Sequence, residues 1–294
     1  MKREIVPVLL LVLCTVSWSA AAEETGRPIE LCVRADDMGH TLDVNLAIIK
    51  AHTEGIVTSA SLMVPAPYFD DAVVRCKAHP KLAAGIHTTL MAVVPMRPVL
   101  PPDQVPSLVA PDGYFHRGYD DFVKAQPKIE EVEKEIRAQI QKALDTGLRF
   151  VYIDSHMSSS GGKARPDIGA LYPRLAREYR LLFTQDFVGQ SCGARYFPAN
   201  LETWGSQRLP DGTLVCYSGP DMPAEVRTKF LQRLQNLQPG TWFTVCHPGL
   251  YAHRQAQSTD LICSPEIKDI VRTHGIRLIS FADLWNRKYG GKQP

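Results

Sequence analysis

Strand-like apolar runs alternate with helical segments along most of this chain, and that alternation limits its fold more than any other feature. The run Ile29-Glu-Leu-Cys-Val-Arg-Ala35 is typical of a strand, and residues 42–53 follow with helical spacing. The same unit recurs, with strands predicted at 57–64, 82–87, 149–154, 181–184, 241–246 and 277–280, and helices at 68–79, 128–145, 167–179, 224–237 and 264–274. Such repetition predicts one α/β domain with a mainly parallel sheet covered by helices. These patterns leave open whether the sheet closes into a barrel.

Two stretches interrupt the alternation. Residues 95–127 are rich in proline and lack a sustained period, which predicts a long loop with short helical pieces. Residues 188–222 are irregular, and the Pro210-Asp-Gly212 turn signal favours a hairpin there.

The first 22 residues have the pattern of a cleaved secretory signal. Lys2 and Arg3 precede an apolar stretch, and the small residues Ala20 to Ala22 come just before Glu23. We expect cleavage after Ala22, a single mature domain over residues 23–294, and a periplasmic or secreted location. The apolar run is too short for a stable membrane span, and no later segment reaches the required length.

The sequence lacks the features of a nucleic-acid-binding or nucleotide-binding protein, and it leaves the pairing of its cysteines open. Lys and Arg total 33 and Asp and Glu total 31, so the formal net charge is +2 and no basic surface for nucleic acid is predicted. The absence of a glycine-rich loop after any predicted strand disfavours nucleotide binding. Six cysteines remain after the predicted cleavage, and their pairing stays open. We interpret Cys32 and Cys246, which lie inside apolar runs, as buried hydrophobic residues.

Polar side chains suited to metal chemistry follow four of the predicted strands. They are Asp36 and Asp37, His87, Asp154 and His156, and His247. A single histidine at a strand end is more often structural, but the carboxyl ends of parallel strands lie at one edge of a sheet, so these residues are expected to converge. One carboxylate and two imidazoles leave open positions on a divalent ion for water and a substrate carbonyl. Asp154 is expected to orient a ligand or to cap the loop rather than to bind the ion.

Five short motifs along residues 31–285 resemble those of the YdjC-like family of carbohydrate deacetylases. They are Ala35-Asp-Asp-Met-Gly39 followed by Asn45, Gly55-Ile-Val-Thr-Ser59, Gly85-Ile-His87, Ile153-Asp-Ser-His156 and Cys246-His-Pro-Gly249, and they come in the family's order. The resemblance implies a distorted (β/α) barrel that binds one divalent metal ion through an Asp and two His.

Carried over position by position, the resemblance makes Asp37, His87 and His156 the metal ligands. It makes Asp36 the catalytic base and His247 the general acid. Two departures concern substrate preference: Met157-Ser-Ser-Ser160 stands where the family usually has further histidines, and Arg34 stands where Asn often precedes the aspartate pair.

The resulting hypothesis is a metal-dependent hydrolase that removes acetyl groups from N-acetylated sugars, with short oligosaccharides as the expected substrates. Two alternatives are a metal-dependent O-acetyl esterase or other amidohydrolase, and a non-catalytic carbohydrate-binding relative. Mixed nitrogen and oxygen ligation suits zinc, with magnesium the other leading choice and manganese and cobalt open. The expected partner is an acetylated sugar; the oligomeric state, a homodimer included, stays open.

Overall fold

The structure is a computed structural model that describes residues 28–159, 164–184, 192, 194–196, 204–208, 214–218, 224–251 and 253–291. The predicted signal peptide, residues 1–22, lies outside them. The strands are Ile29–Met38 (β1), Ser59–Leu62 (β2), Ala83–Thr88 (β3), Phe150–Ser155 (β4), Leu182–Phe183 (β5), Arg195–Tyr196 (β6), Trp204–Arg208 (β7), Leu214–Ser218 (β8), Gly240–Cys246 (β9) and Arg277–Leu278 (β10). The helices are Leu42–Thr53 (α1), Phe69–Ala78 (α2), Tyr119–Ala125 (α3), Ile129–Asp145 (α4), Pro166–Glu178 (α5), Ala224–Gln235 (α6), His253–Cys263 (α7), Pro265–Thr273 (α8) and Phe281–Tyr289 (α9).

Among the described residues, eight strands form one sheet in the order β5-β4-β3-β2-β1-β9-β6, with β10 pairing to the start of β1. Every pairing in this sheet is parallel. The sheet curls into a half-barrel within a single domain, which confirms the predicted α/β distorted-barrel class. The predicted hairpin is also present, as the antiparallel pair β7 and β8.

The curled sheet has an apolar core on each side. On β1, Leu31, Val33 and Ala35 belong to the larger cluster, which contains the buried faces of the covering helices. Cys32 belongs to a smaller cluster with aromatic residues of β4, β9 and α9. Because side chains alternate along a strand, Arg34 and Asp36 project on the same side as Cys32. The inside of the curl is therefore apolar at one end and charged at the other.

Gly85 on β3 makes room for an aromatic ring inside the curl. Gly85 pairs with Tyr152 of β4, and a Cβ at Gly85 would overlap the Tyr152 ring. The Tyr152 hydroxyl lies 3.0 Å from the Ser61 hydroxyl of β2. The absence of a side chain at Gly85 thus lets Tyr152 extend across β3 to β2.

We expect Gly85→Ala to lower the free energy of unfolding by about 3 kcal/mol, because the buried ring must move in a packed core. Thermal unfolding would show a fall in Tm of about 6–12 °C. In a Tyr152→Ala background the same substitution should cost much less, since the clashing ring is gone. Equal costs in both backgrounds would contradict this explanation.

Most predicted elements agree with the structure within two residues at each end, but no element was predicted for the segments that form α7 and α9. The buried face of α7 includes Ser258 and Thr259, so its apolar periodicity is weak. α9 begins with a capping box between Ser280 and Asp283, a signal that was present in the sequence. No helix in the described part of the chain has the length and apolar character needed to cross a bilayer.

Candidate metal centre

The parallel sheet brings the polar strand ends together at one edge. His87 of β3 pairs in register with Asp154 of β4, and His156 follows directly after β4. On the other side, β1 pairs with β9 up to Ala35 and Cys246, so that Asp36 and His247 each come next in the chain. Asp36, Asp37, His87, Asp154 and His156 come together at this edge, and His247 interacts electrostatically with Asp37.

An irregularity in β1 turns its two aspartates toward this edge. Ala35 pairs with Ala60 and Met38 with Leu62, so two residues of β1, Asp36 and Asp37, lie opposite the single residue Ser61 of β2. Asp37 also has a left-handed backbone, with φ of 68°. Such bulges occur beside active sites and redirect side chains. Here the bulge gives neighbouring carboxylates different partners.

The turn after Asp37 is held by a buried asparagine of α1. Asn45 Oδ1 accepts a 2.6 Å hydrogen bond from the backbone N–H of Gly39. Its amide nitrogen donates to the carbonyl of Tyr68 and to the carboxylate of Asp71, which begin α2. Asn45 therefore ties the turn that follows β1 to the start of the neighbouring helix.

Asp37, His87 and His156 present three ligand atoms to one point. Asp37 Oδ1 lies 3.2 Å from His87 Nε2 and 3.0 Å from His156 Nδ1. All three ligand atoms lie within 4.8 Å of one another. A tetrahedral zinc ion with bonds of about 2.1 Å separates its ligand atoms by about 3.4 Å. This separation is close to the distances between the donor atoms here, so the donor set fits a divalent transition-metal ion such as Zn²⁺.

Asp154 contacts Nδ1 of His87, the ring nitrogen that does not contact Asp37. His87 Nδ1 lies 2.8 Å from Asp154 Oδ1, while the Ser61 hydroxyl donates a 2.9 Å hydrogen bond to Asp154 Oδ2. Metal-binding histidines commonly have a carboxylate in this position, which fixes the ring and leaves the other nitrogen for the ion. The contact needed for the orienting role expected of Asp154 is therefore present.

The carboxylates strongly favour positive charge at this edge. Burial opposes charge on His87, but Asp154 and Asp36 outweigh that effect and raise its pKa to about 10. Burial likewise opposes ionisation of Asp37, yet the charge and hydrogen bond of His156, the hydrogen bond of His87 and the charge of His247 bring its pKa well below the ordinary value. A divalent ion would be attracted by the same negative charge.

A second group of potential ligands, Asp36, His87 and Asp154, lies beside the first and shares His87 with it. Its carboxylates are already bonded to a cation of the protein. Arg34 donates to both oxygens of Asp36, at 2.7 and 2.8 Å, and also lies 2.7 Å from Asp154 Oδ2. The group of Asp37, His87 and His156 is therefore the better metal centre.

Two further histidines, His247 and His40, interact electrostatically with this centre. His247 is half-buried and acts electrostatically on Asp37. The pKa of His40 is lowered, chiefly by burial, and His40 also interacts electrostatically with Asp37 and His156. Tyr251 is 82% exposed. The aromatic side chains at positions 196, 197, 204 and 217, and the side chain of His253, lie outside the described part of the chain.

Directly after His156, where the family resemblance implies further histidines, the chain forms a short turn. Met157 is 38% exposed and has a left-handed backbone with φ of 51°. Ser159 is buried, and its hydroxyl donates to the carbonyl of Thr88 at 3.4 Å. Ser160 lies outside the described residues. The turn at 157–159 thus places an apolar side chain at the surface beside His156.

Comparison with known proteins decides the family. The family model described as YdjC-like protein matches residues 30–273, most of the chain. The chain belongs to the YdjC-like family. The resemblance drawn from the short motifs is confirmed, and the matched segment contains all five of the predicted site residues.

Two relatives and one solved structure match this chain over nearly their whole length. A carbohydrate deacetylase of Brevibacillus brevis is 31% identical over 266 residues, covering 87% of this chain and 100% of the relative. A carbohydrate deacetylase of Enterococcus faecalis is 29% identical, covering 87% and 98%. A crystal structure from Enterococcus faecalis V583, described as a candidate cellobiose-phosphate cleavage protein, is 27% identical, with a TM-score of 0.70 and coverage of 87% and 99%.

Proposed function

We propose that this protein is a metal-dependent deacetylase that hydrolyses the acetamido group of N-acetylated sugars, short oligosaccharides in particular. The main observation behind the proposal is the cluster of Asp37, His87 and His156 with Asp36 beside it. The chain that contains this cluster aligns with two proteins named carbohydrate deacetylases over nearly their whole length. The deacetylase name belongs to those relatives, and the site chemistry is what supports extending it to this chain.

Three side chains would hold the divalent ion in this proposal. Asp37 supplies an anionic oxygen, and His87 and His156 supply ring nitrogens, with His87 held by Asp154. When bound, the ion supplies a Lewis acid that polarises the acetyl carbonyl and makes water more acidic. Protein side chains would carry the protons.

Asp36 is the proposed base. Its carboxylate directly precedes Asp37, is 4% exposed and is held on both oxygens by Arg34. In this position it would take the proton from water as the water oxygen attacks the acetyl carbon. Because proton transfer in the transition state by a placed side chain contributes about 10²–10⁴-fold to rate, a fixed carboxylate at this point is valuable.

His247 is the proposed acid. It follows β9 on the opposite side of β1 from His87 and acts electrostatically on Asp37. It would give a proton to the sugar nitrogen as the bond between carbon and nitrogen breaks, so that acetate and an amino sugar leave. An imidazole suits this step because its ordinary pKa lies near neutrality.

The test is acetate release by protein reconstituted with Zn²⁺ or Mg²⁺, assayed on N-acetylated chito-oligosaccharides, an O-acetylated xylo-oligosaccharide and an N-acetyl amino acid. We expect release from the N-acetylated sugars, loss of release with a chelator, and recovery when the ion is returned. Release from the ester or the amino acid alone would replace the proposal by the esterase or amidohydrolase alternative. Sugar binding without acetate release would favour the binding alternative.

A further inference from the structure

Arg34 directly contacts the two buried carboxylates behind the centre, Asp36 and Asp154, and it was not among the site residues predicted from sequence. It lies two residues before Asp36 on β1, so both side chains point into the curl. Arg34 is 4% exposed, so its guanidinium is almost completely shielded from water. A buried guanidinium requires partners of matched charge and geometry.

The guanidinium bridges two carboxylates on different strands. Nε and Nη2 donate to the two oxygens of Asp36, and Nη1 lies 2.7 Å from Asp154 Oδ2 and donates to the Thr184 hydroxyl at 2.8 Å. A planar fork of donors makes such contacts simultaneously, which a single ammonium group cannot do. Arg34 thus connects Asp36 to Asp154, the residue that holds His87.

The contacts of Arg34 with Asp36 and Asp154 leave Asp37 as the carboxylate of the cluster that is placed to bind an ion. The ligand group of Asp36, His87 and Asp154 has its two acids bonded to Arg34, whereas Asp37 has no arginine or lysine partner among the described ion pairs. Three carboxylates and one guanidinium leave two negative charges, which a single divalent ion balances. Without Arg34, the cluster would attract a second cation or bind the first more strongly.

We propose that Arg34 is a positioning residue that keeps Asp36 out of the metal coordination and holds it as a base, and so restricts the centre to one ion. The effect on catalysis rests on the proposed deacetylase function, but the effect on metal binding does not. The two effects are therefore measured separately.

The first variant is Arg34→Gln, measured by Zn²⁺ competition with a chromophoric chelator and by metal content after dialysis. We expect wild-type protein to hold one Zn²⁺ per chain, and the variant to bind Zn²⁺ at least about tenfold more tightly or to hold a second ion. In the same variant kcat for acetate release should fall by about 10²-fold or more. Zn²⁺ affinity that is unchanged or weaker, or kcat within about threefold of wild type, would overturn the proposal.

Arg34→Lys keeps the charge and serves if the glutamine variant does not fold. We expect one Zn²⁺ bound within about threefold of the wild-type affinity, and kcat reduced at least about tenfold with little change in KM, because Lys cannot hold both Asp36 oxygens and Asp154 together. Wild-type kcat in this variant, or loss of its Zn²⁺, would overturn the proposal.

Arg137→Gln is the matched control, since Arg137 also bridges two acids, Glu133 and Glu178, but at the surface of α4. Its Zn²⁺ affinity and kcat should equal those of wild type. If the wild-type protein releases no acetate from any substrate, the proposed function fails, and the Zn²⁺ measurements alone then decide the role of Arg34.

Discussion

Replacing Asp36 with Asn is expected to lower kcat for acetate release by about 10³-fold while the Zn²⁺-loaded protein still holds one ion per chain. An amide has nearly the shape of the carboxylate and its oxygen still accepts a hydrogen bond from Arg34, but it cannot take a proton from water. The change therefore removes the proposed base and leaves the donors of Asp37, His87 and His156 unchanged. Steady-state kinetics with the Zn²⁺-loaded protein, together with metal content, measures both effects.

Asp70→Asn is the matched control for this experiment. Asp70 is an exposed aspartate in the first turn of α2, so the same change of atoms occurs away from the cluster. It should leave kcat and Zn²⁺ content at wild-type values. If Asp36→Asn kept wild-type kcat, Asp36 would not be the base; if it lost Zn²⁺, Asp36 would belong among the metal ligands.

Replacing Asp37 with Asn is expected to weaken Zn²⁺ binding by about 10²-fold or more, with acetate release falling in parallel. Asp37 is the anionic member of the ligand set, and its Oδ1 is the atom that both histidines approach. Asn is chosen because it tolerates the left-handed backbone at this position, so the change removes charge without forcing the turn to rearrange.

Zn²⁺ titration in competition with a chelating dye gives the Kd of the variant, and excess Zn²⁺ should restore part of its acetate release. Asp70→Asn again serves as the control and should bind Zn²⁺ as wild type does. Wild-type affinity in Asp37→Asn would remove Asp37 from the ligand set and leave His87 and His156 without their anionic partner.

The placement of the site could be predicted because it depends on topology. Parallel strands expose their carboxyl ends at one edge, so Asp37, His87 and His156 were expected to meet although they lie far apart in the chain. The short motifs around them also identified the family. Neither inference needed any knowledge of side-chain contacts.

The contacts behind the site could not be predicted, because they depend on register and on rotamers. The bulge at Asp36 and Asp37 appears only when β1 is paired with β2. Arg34 read as one residue of an apolar strand and as a departure from the family pattern, and its bonds to Asp36 and Asp154 emerge only in three dimensions. Tyr152 reaches Ser61 only because Gly85 lies between them.

The proposed chemistry depends on one divalent ion held by Asp37, His87 and His156. Anomalous diffraction at the zinc absorption edge, from crystals of Zn²⁺-loaded protein, tests it most directly. We expect a single strong peak about 2.0–2.3 Å from Asp37 Oδ1, His87 Nε2 and His156 Nδ1. A peak enclosed instead by Asp36, His87 and Asp154, or zinc bound elsewhere with none at this edge of the sheet, would contradict it.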